Sequence, residues 1–521
     1  MIFSRQHAFK SVQEVSEWDI VIIGGGATGL GTALDAASRG YKTLLLEKYD
    51  FAKGTSSKST KLVHGGVRYL ANGDVKLVFS ALKERGLIFK NAPHVSFVQS
   101  FVIPSYSFFN KMKFLIGLKI YDWMAGSLRI GKSTLLSKNE VKEKLPKVKE
   151  KGLIGGVQYF DGQFDDARLA LNLGQTAIES GATVLNYTEV ISIQKNDNGK
   201  ISGLTFLDTE TNQEYSVKAK SIINATGIFV DDILKLDSSA HKNLVRPSQG
   251  AHIVIDKKFL GNEDALMIPE TSDGRVLFGV PWHGKVLLGT TDTPLNEHQI
   301  EPRPLEEEIE FILNTANDYL ADAPTRKDVL SVFAGLRPLA APTAGNENST
   351  KEISRDHKLI TSDSGLITIT GGKWTTYRKM AEETVNSAIQ AGKLAPKECQ
   401  TTTLHIHGYT TTKQNGHWQV YGSDAERIHE LVSKNPELGE KLHPNFDFIQ
   451  AEVVWACHNE MIVKVEDFLA RRLRILLLDA KASLEIAPKV AKIMAQELGK
   501  DEIWIQKEIA DYSNLVKRYM I

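Results

Sequence analysis

A doubly wound α/β domain, interrupted by an antiparallel sheet and followed by a helical domain, is the fold this sequence predicts. Three observations predict it. A Gly24-x-Gly26-x-x-Gly29 loop joins a short apolar run to a helical pattern. Two later apolar runs end in small-residue turns, Ala225-Thr226-Gly227 and Gly371-Gly372-Lys373, and the second opens another helix. Beyond a Thr-, Gly- and His-rich stretch at 393–422, which reads as a linker, the pattern is helical to Ile521. A chain of 521 residues exceeds one ordinary core, since cores stop growing near roughly 250–300 residues. Two or three domains are therefore expected.

Taken in order, Asp19 to Ile23 is a buried parallel strand by its unbroken apolar character. Thr28 to Arg39 has Leu30, Ala33, Leu34 and Ala37 at helical spacing, and Gly40 ends it. Thr43 to Leu46 is the second strand, which completes a βαβ start. Asn72-Gly73-Asp74 marks a helix start before Val75 to Lys90. Phe101 to Ile130 mixes aromatics and aliphatics with Lys111, Lys113, Lys119 and Arg129. Asp165 and Asp166 cap a helix from Ala167 to Glu179 that Gly181 ends. Thr183 to Asn186 is a strand. Ile191 to Lys218 alternates around Asp197-Asn198-Gly199, a hairpin turn, and Ser221 to Ala225 is a buried strand. Val245 to Asp292 is strand-rich and punctuated by Gly and Pro, which suggests an antiparallel sheet. Pro302 to Tyr319 is helical. Leu366 to Thr370 is a short strand before a helix from about Thr375 to Gln390.

Formal net charge is zero, so bulk electrostatics give no reason for a nucleic-acid partner, and any anion site must come from local Arg and Lys. The two cysteines, Cys399 and Cys457, allow no disulfide framework and fit a reducing, cytoplasmic setting. Met1 to Trp18 holds charged residues and no signal-like apolar stretch. No apolar run reaches the ~18 residues of a membrane span. His405-x-His407 has no further ligand types beside it, so no metal is expected.

The glycine loop carries the first chemistry. Gly24 permits the tight turn, Gly26 lets a pyrophosphate approach the backbone, and Gly29 lets helix and strand pack closely. N–H groups at the helix start then meet phosphate with the help of the helix dipole. Glu47, at the end of the second strand, is placed for the adenosine ribose hydroxyls. The two later strand ends separate FAD from a shorter nicotinamide cofactor. Ligands of such sheets sit at carboxyl strand ends, and three ends converging suit one long dinucleotide. The last helix aims its N-terminus at the isoalloxazine and favours negative charge there.

The motifs also resemble a family. Gly24-Gly-Gly-Ala-Thr-Gly29, Thr55-Ser-Ser-Lys-Ser-Thr-Lys-Leu-Val-His-Gly-Gly-Val-Arg-Tyr-Leu70, Ala334-Gly-Leu-Arg-Pro-Leu339 and Gly371-Gly-Lys-Trp-Thr-Thr-Tyr-Arg378 stand in the order seen in FAD-dependent glycerol-3-phosphate dehydrogenases. Phe164-Asp-Asp-Ala-Arg-Leu169 and Gly289-Thr-Thr-Asp292 resemble that family too. The resemblance spans roughly 18–390, with a weaker match at Val465-Glu-Asp-Phe-Leu-Ala-Arg-Arg472. Ala225-Thr-Gly-Ile-Phe229 departs from it, because Pro and Trp usually follow that glycine.

The resemblance implies a FAD-binding, Rossmann-like domain of the glutathione-reductase type, assembled from residues 1–100, 155–244 and 330–392. An antiparallel-sheet substrate domain (101–154 and 245–329) and a helical C-terminal domain (393–521) complete the expected fold. It implies oxidation of sn-glycerol 3-phosphate to dihydroxyacetone phosphate, with hydride passing from C2 to flavin N5 and electrons to a membrane quinone. The residues expected at the cofactor are Gly24, Gly26, Thr28, Gly29, Glu47, Lys48, Thr55, Ser56, Ser57, Ser59, Lys61, Leu62, His64, Gly65, Val190, Ala225, Thr226, Gly227, Asp292, Gly335, Arg337, Gly372, Lys373, Thr375 and Thr376. Arg337, Lys373, Arg355 and Arg68 are the candidates for the substrate phosphate, with Thr375 and Tyr69 adding neutral hydrogen bonds. His64, His252 and Arg337 are the candidates at the C2 hydroxyl.

Two other readings stay open. One is a FAD-dependent oxidase of a small phosphorylated alcohol, hydroxy acid or amino acid that uses oxygen. The other is a flavin-binding module without redox work. A peripheral position on the inner face of the cell membrane, through Phe101 to Ile130, is the expected location. A homodimer stays open as the oligomeric state.

Overall fold

The computed structural model describes residues 3–67, 70, 73–238, 243–271, 274–340 and 357–521. Strand Trp18–Ile23 lies at the centre of a parallel array. It pairs with Thr43–Leu46 on one side and Gln213–Asn224 on the other. Thr183–Leu185 and Ile367–Gly371 extend the array, and His357–Thr361 closes one edge antiparallel. The apolar runs are buried on both faces, as parallel strands between helices must be. Helices Ala27–Ser38, Asp166–Glu179 and Tyr377–Ala391 cover one face and share a core with it. The antiparallel strands Thr188–Lys195 and Ile201–Asp208, joined through Gly199 at φ 71°, lie on the other side.

A second, mostly antiparallel sheet carries Val245–Asp256, Lys285–Gly289, Leu277–Trp282, Ala265–Ile268, Ser96–Ser105 and Gly155–Phe164 in that lateral order. Helix Glu306–Tyr319 packs on its outer face. The C-terminal helices, among them Gln450–Asn459, Ala480–Leu498 and Glu502–Val516, bury their own core and meet this sheet at Val254, Trp282, Leu287 and Phe333.

The observed elements depart from expectation at three places, each for a physical reason. Ser221–Ala225 is not a separate strand. Gln213–Asn224 is one continuous strand that pairs antiparallel with Ile201–Asp208 and then parallel with Trp18–Ile23. The divisions at 100, 155 and 330 cut through the second sheet. Ser96–Ser105 pairs with Gly155–Phe164, and Val329–Ala340 pairs with Val245–Asp256 from Val245 to Ile255. Alternation shows that a segment is a strand but not which sheet it joins. Residues 393–422 do not run free as a linker. The Tyr41 hydroxyl donates to the Ala395 carbonyl (2.6 Å), Ile406 N–H donates to the Asn91 carbonyl (2.9 Å), and Gly408 and Gly422 pass so close that a Cβ at Gly422 would sit 1.8 Å from the Gly408 oxygen. His407 is held there by Glu179 and Asp424, and His405 stacks on Tyr409.

Candidate active site

The carboxyl ends of the parallel strands open into a cavity of about 550 Å³. A second, of about 290 Å³, lies between the loop after the second strand and the antiparallel sheet. Thr55, Pro338, Gly371, Gly372, Lys373 and Trp374 line both, so the two share a wall and form one elongated site.

Steric exclusion of any larger side chain shapes the larger cavity. Gly24 has φ +110° and a Cβ there would meet the Ala225 carbonyl at 2.8 Å. A Cβ on Gly29 would lie 1.9 Å from the Gly24 oxygen, which is why helix Ala27–Ser38 can lie directly on the strand turn. Gly26 is the N-cap residue, and the Ser56 hydroxyl accepts from Ala27 N–H at 2.9 Å. Glu47 accepts from Gly25 N–H (2.6 Å) and Tyr49 N–H (2.8 Å). Burial pushes its carboxyl up, and these two N–H groups oppose that. Each carboxylate oxygen keeps a second lone pair for a ribose hydroxyl.

Of the residues expected at the cofactor, Gly24, Gly26, Thr28, Glu47, Lys48, Thr55, Ser56, Val190, Ala225, Thr226, Gly227, Gly372 and Lys373 line the larger cavity. Ser59, Leu62, His64, Asp292, Gly335, Arg337 and Thr375 line the smaller one. Gly29, Ser57, Lys61, Gly65 and Thr376 line neither. The Ser57 hydroxyl turns to the Ala52 carbonyl, Lys61 Nζ to Asp166 and the Ser57 carbonyl, and the Thr376 hydroxyl to the Lys373 carbonyl. Gly65 N–H donates to the Tyr121 hydroxyl, and a Cβ there would meet Leu82. These residues shape the wall from behind. Arg68, Tyr69 and Arg355 lie outside the described residues.

In the smaller cavity, strand Val329–Ala340 presents Arg337. Its guanidinium donates to Thr291 O (3.0 Å), Thr290 Oγ1 (3.2 Å), Gln249 O (3.3 Å) and Asp292 Oδ1 (3.3 Å). Asp292, expected at the cofactor, thus faces Arg337 and also accepts from the Ser248 hydroxyl. Lys373 follows Gly371 and Gly372, whose φ values of 79° and 75° turn the chain from the strand into the Trp374–Thr376 turn and helix Tyr377–Ala391. Thr375 and His64 meet through Thr375 Oγ1 and the His64 backbone. His252 is buried, with its ring stacked on Phe333 (4.8 Å, 15° between planes) and Nε2 2.9 Å from Thr60 Oγ1. Burial, then the positive charges of Lys61 and Arg337, hold it well below the usual histidine range, so the ring is neutral.

Sequence reasoning missed Thr60, Arg275, Thr290 and Trp374, all of which line the smaller cavity. Thr60, Thr290 and Trp374 sat inside motifs already singled out. Trp374 Nε1–H donates to the Ser56 carbonyl and so ties the last strand end to the glycine-loop partner. Arg275 lies over Phe311 on a strand-end turn that carries no local signal.

The geometry fits a long dinucleotide, and comparison with known proteins shows a FAD-dependent family. A family model described as "FAD dependent oxidoreductase" matches residues 19–378, and one described as "C-terminal domain of alpha-glycerophosphate oxidase" matches 363–503. The mitochondrial glycerol-3-phosphate dehydrogenase of Schizosaccharomyces pombe is 39% identical over 98% of this chain and 89% of its own length. The chain belongs to the FAD-dependent glycerol-3-phosphate dehydrogenases. The rat mitochondrial enzyme is 40% identical over 97% of this chain and 74% of its own. The crystal structure of the Bacillus halodurans glycerol-3-phosphate dehydrogenase complexed with FAD superposes with a TM-score of 0.81 at 30% identity, covering 99% of this chain and 98% of that one. Members of this family use FAD, and the larger cavity has the length and the lining that a dinucleotide requires. The glycine cradle, Glu47 and the shared wall at Gly371–Trp374 supply the shape it needs.

Proposed function

We propose that this dehydrogenase oxidises sn-glycerol 3-phosphate at C2 to dihydroxyacetone phosphate, and that a membrane quinone is the final acceptor. Bound FAD supplies the hydride acceptor, N5 of its ring. The observation that carries the reading is the shared wall. It sets Arg337, Lys373 and a buried neutral imidazole at one end of the dinucleotide cavity. Arg337 and Lys373 take the phosphate, Arg as a planar fork and Lys as a point charge. Arg275 adds a third cation on the same cavity, and Thr375 adds a hydroxyl. Arg68, Tyr69 and Arg355 remain assigned to the substrate on the motifs.

His252, rather than His64, takes the C2 hydroxyl proton. Its ring is fixed between Phe333 and Thr60, so it meets the hydroxyl in one orientation. Burial, and after it the charges of Lys61 and Arg337, make it a weak base before substrate binds. The phosphate dianion offsets their field and raises its proton affinity as the reaction requires.

Helix Phe108–Met124 supports contact with a lipid surface. Its outward face carries exposed Phe109, Lys113, Ile116, Ile120 and Trp123, at alternating steps of four and three. Among the described residues no helix is long and apolar enough to cross a membrane.

The test is anaerobic. Adding glycerol 3-phosphate to FAD-loaded protein should bleach the flavin, and His252→Gln should slow bleaching about 100-fold or more. No bleaching of the parent protein sinks the assignment. Stopped-flow reoxidation that is faster with oxygen than with a soluble quinone reassigns the chain as an oxidase.

A further inference from the structure

We propose that Thr60 is a positioning residue for His252, and that its place is set from the C-terminal domain by Arg474 acting through Asp166. The proposal rests on the reading of His252 as the base.

Thr60 Oγ1 is 2.9 Å from His252 Nε2, and Phe333 covers the ring face. One hydroxyl at Nε2, with Phe333 on the face, therefore fixes the rotation of the ring. Thr60 has no freedom of its own, because both neighbours end on one carboxylate. Ser59 donates to Asp166 through N–H (3.2 Å) and Oγ (2.7 Å), and Lys61 through Nζ (2.7 Å). Arg474 donates to the other oxygen of Asp166 at 2.6 Å and to the Ser57 carbonyl at 3.1 Å. Lys61, Asp166 and Arg474 are all buried.

Two features argue for design over accident. Lys61 and Arg474 both hold left-handed backbone, at φ 62° and 68°. Non-glycine residues stay there when their surroundings over-determine them. Lys61 also lies over the rings of Trp282 and Phe333, each at 5.3 Å. The same cation therefore touches the ring that stacks on His252. A buried ionic cluster is a poor source of net stability, and its best-attested use is to specify one arrangement. The charged groups facing His252 are Lys61 and Arg337, backed by Asp166 and Asp292. Arg474 thus reaches, through Asp166 and the Ser57 carbonyl, the segment that carries Thr60.

The experiment follows flavin reduction by glycerol 3-phosphate, against pH, in FAD-loaded full-length protein. Thr60→Val touches no charge. It should lower the reduction rate at saturating substrate at least about tenfold and move the pH midpoint, with FAD affinity and Tm unchanged. Thr60→Ser should restore both rate and midpoint. Arg474→Met should move the midpoint in the same direction in the fraction that retains FAD, and Arg474→Lys should recover part of it. Parental rate and midpoint in Thr60→Val, beside an inactive His252→Gln, overturn the proposal alone. An Arg474→Met loss that follows lost FAD with the midpoint unmoved removes the link to the C-terminal domain. If His252→Gln reduces flavin at the parental rate, the reading of the base fails and the proposal falls with it.

Discussion

Gly29 shows how one absent atom sets the geometry of a cofactor site. A Cβ there would sit 1.9 Å from the Gly24 oxygen, a backbone atom with no flexible side chain to give way. Gly29→Ala should therefore push helix Ala27–Ser38 off the strand turn and purify without bound flavin. Stoichiometric FAD in the purified variant would refute this. His407 makes a different prediction at the same scale. Burial disfavours its charged ring, but Asp424 (2.8 Å) and Glu179 (2.6 Å) outweigh burial and hold it up to about 9. The folded value lies above the unfolded one near ~6.5, so its stabilisation is complete below about 6.5 and disappears as pH rises through about 9. The Tm difference between parent and His407→Gln should be constant in acid and shrink toward pH 9, and a difference that grows over that range would reverse the sign. The glycines were legible in sequence because a forbidden Cβ is a local matter. Asp292 was named from its motif, but its pairing with Arg337 was not legible, since it depends on a partner on another strand.

At the scale of elements, the βαβ start and its caps were readable because strand burial, helix period and terminal glycine agree within about 30 residues. Strand Gln213–Asn224 was not readable as one unit. Its alternating first half and apolar second half look like two strands, and only the pairing of Lys218 with Gly203 followed by Ala219 with Trp18 joins them. Helix Phe108–Met124 was legible as apolar and basic, but the sequence could not say which side faces out. The structure turns Lys111 inward, where Nζ donates to the Leu136 carbonyl at 2.8 Å. Lys111 therefore serves the fold. The outward set is Phe109, Lys113, Ile116, Ile120 and Trp123, with Lys119 beside it. Phe109→Ser with Trp123→Ser should weaken binding to anionic vesicles by roughly 3–5 kcal/mol, at about 2 kcal/mol per large apolar side chain, without altering flavin reduction. Lys113→Glu with Lys119→Glu should weaken it further at low salt and little at high salt. Vesicle co-sedimentation unchanged in both pairs would exclude this face.

For the molecule as a whole, buried charges join the C-terminal helices to the FAD domain across long sequence separations. Asp50, between Tyr49 and Ala52, which line the larger cavity, accepts from Arg471 and from Arg472. Lys53 pairs with Glu466, and Arg168 with Glu460 at 2.5 Å while lying 4.6 Å over the Tyr421 ring. The sequence showed the Val465 to Arg472 motif but not its target, since its partners stand about 400 positions upstream (Arg471 to Asp50, for example). Removing one member of such a pair leaves the other charge buried and costs about 3–5 kcal/mol, whereas removing both costs far less. Arg168→Met should therefore lower Tm by several degrees, and Arg168→Met with Glu460→Met should recover most of the loss. Because the junction lies directly behind the cofactor loop, the two domains should also melt together. Flavin release, followed by its fluorescence, and loss of helix, followed by circular dichroism, should share one midpoint in the parent and in both variants. Flavin leaving well below the helical transition would mean that the FAD domain opens by itself, and that these ion pairs do not bind the two halves into one cooperative unit.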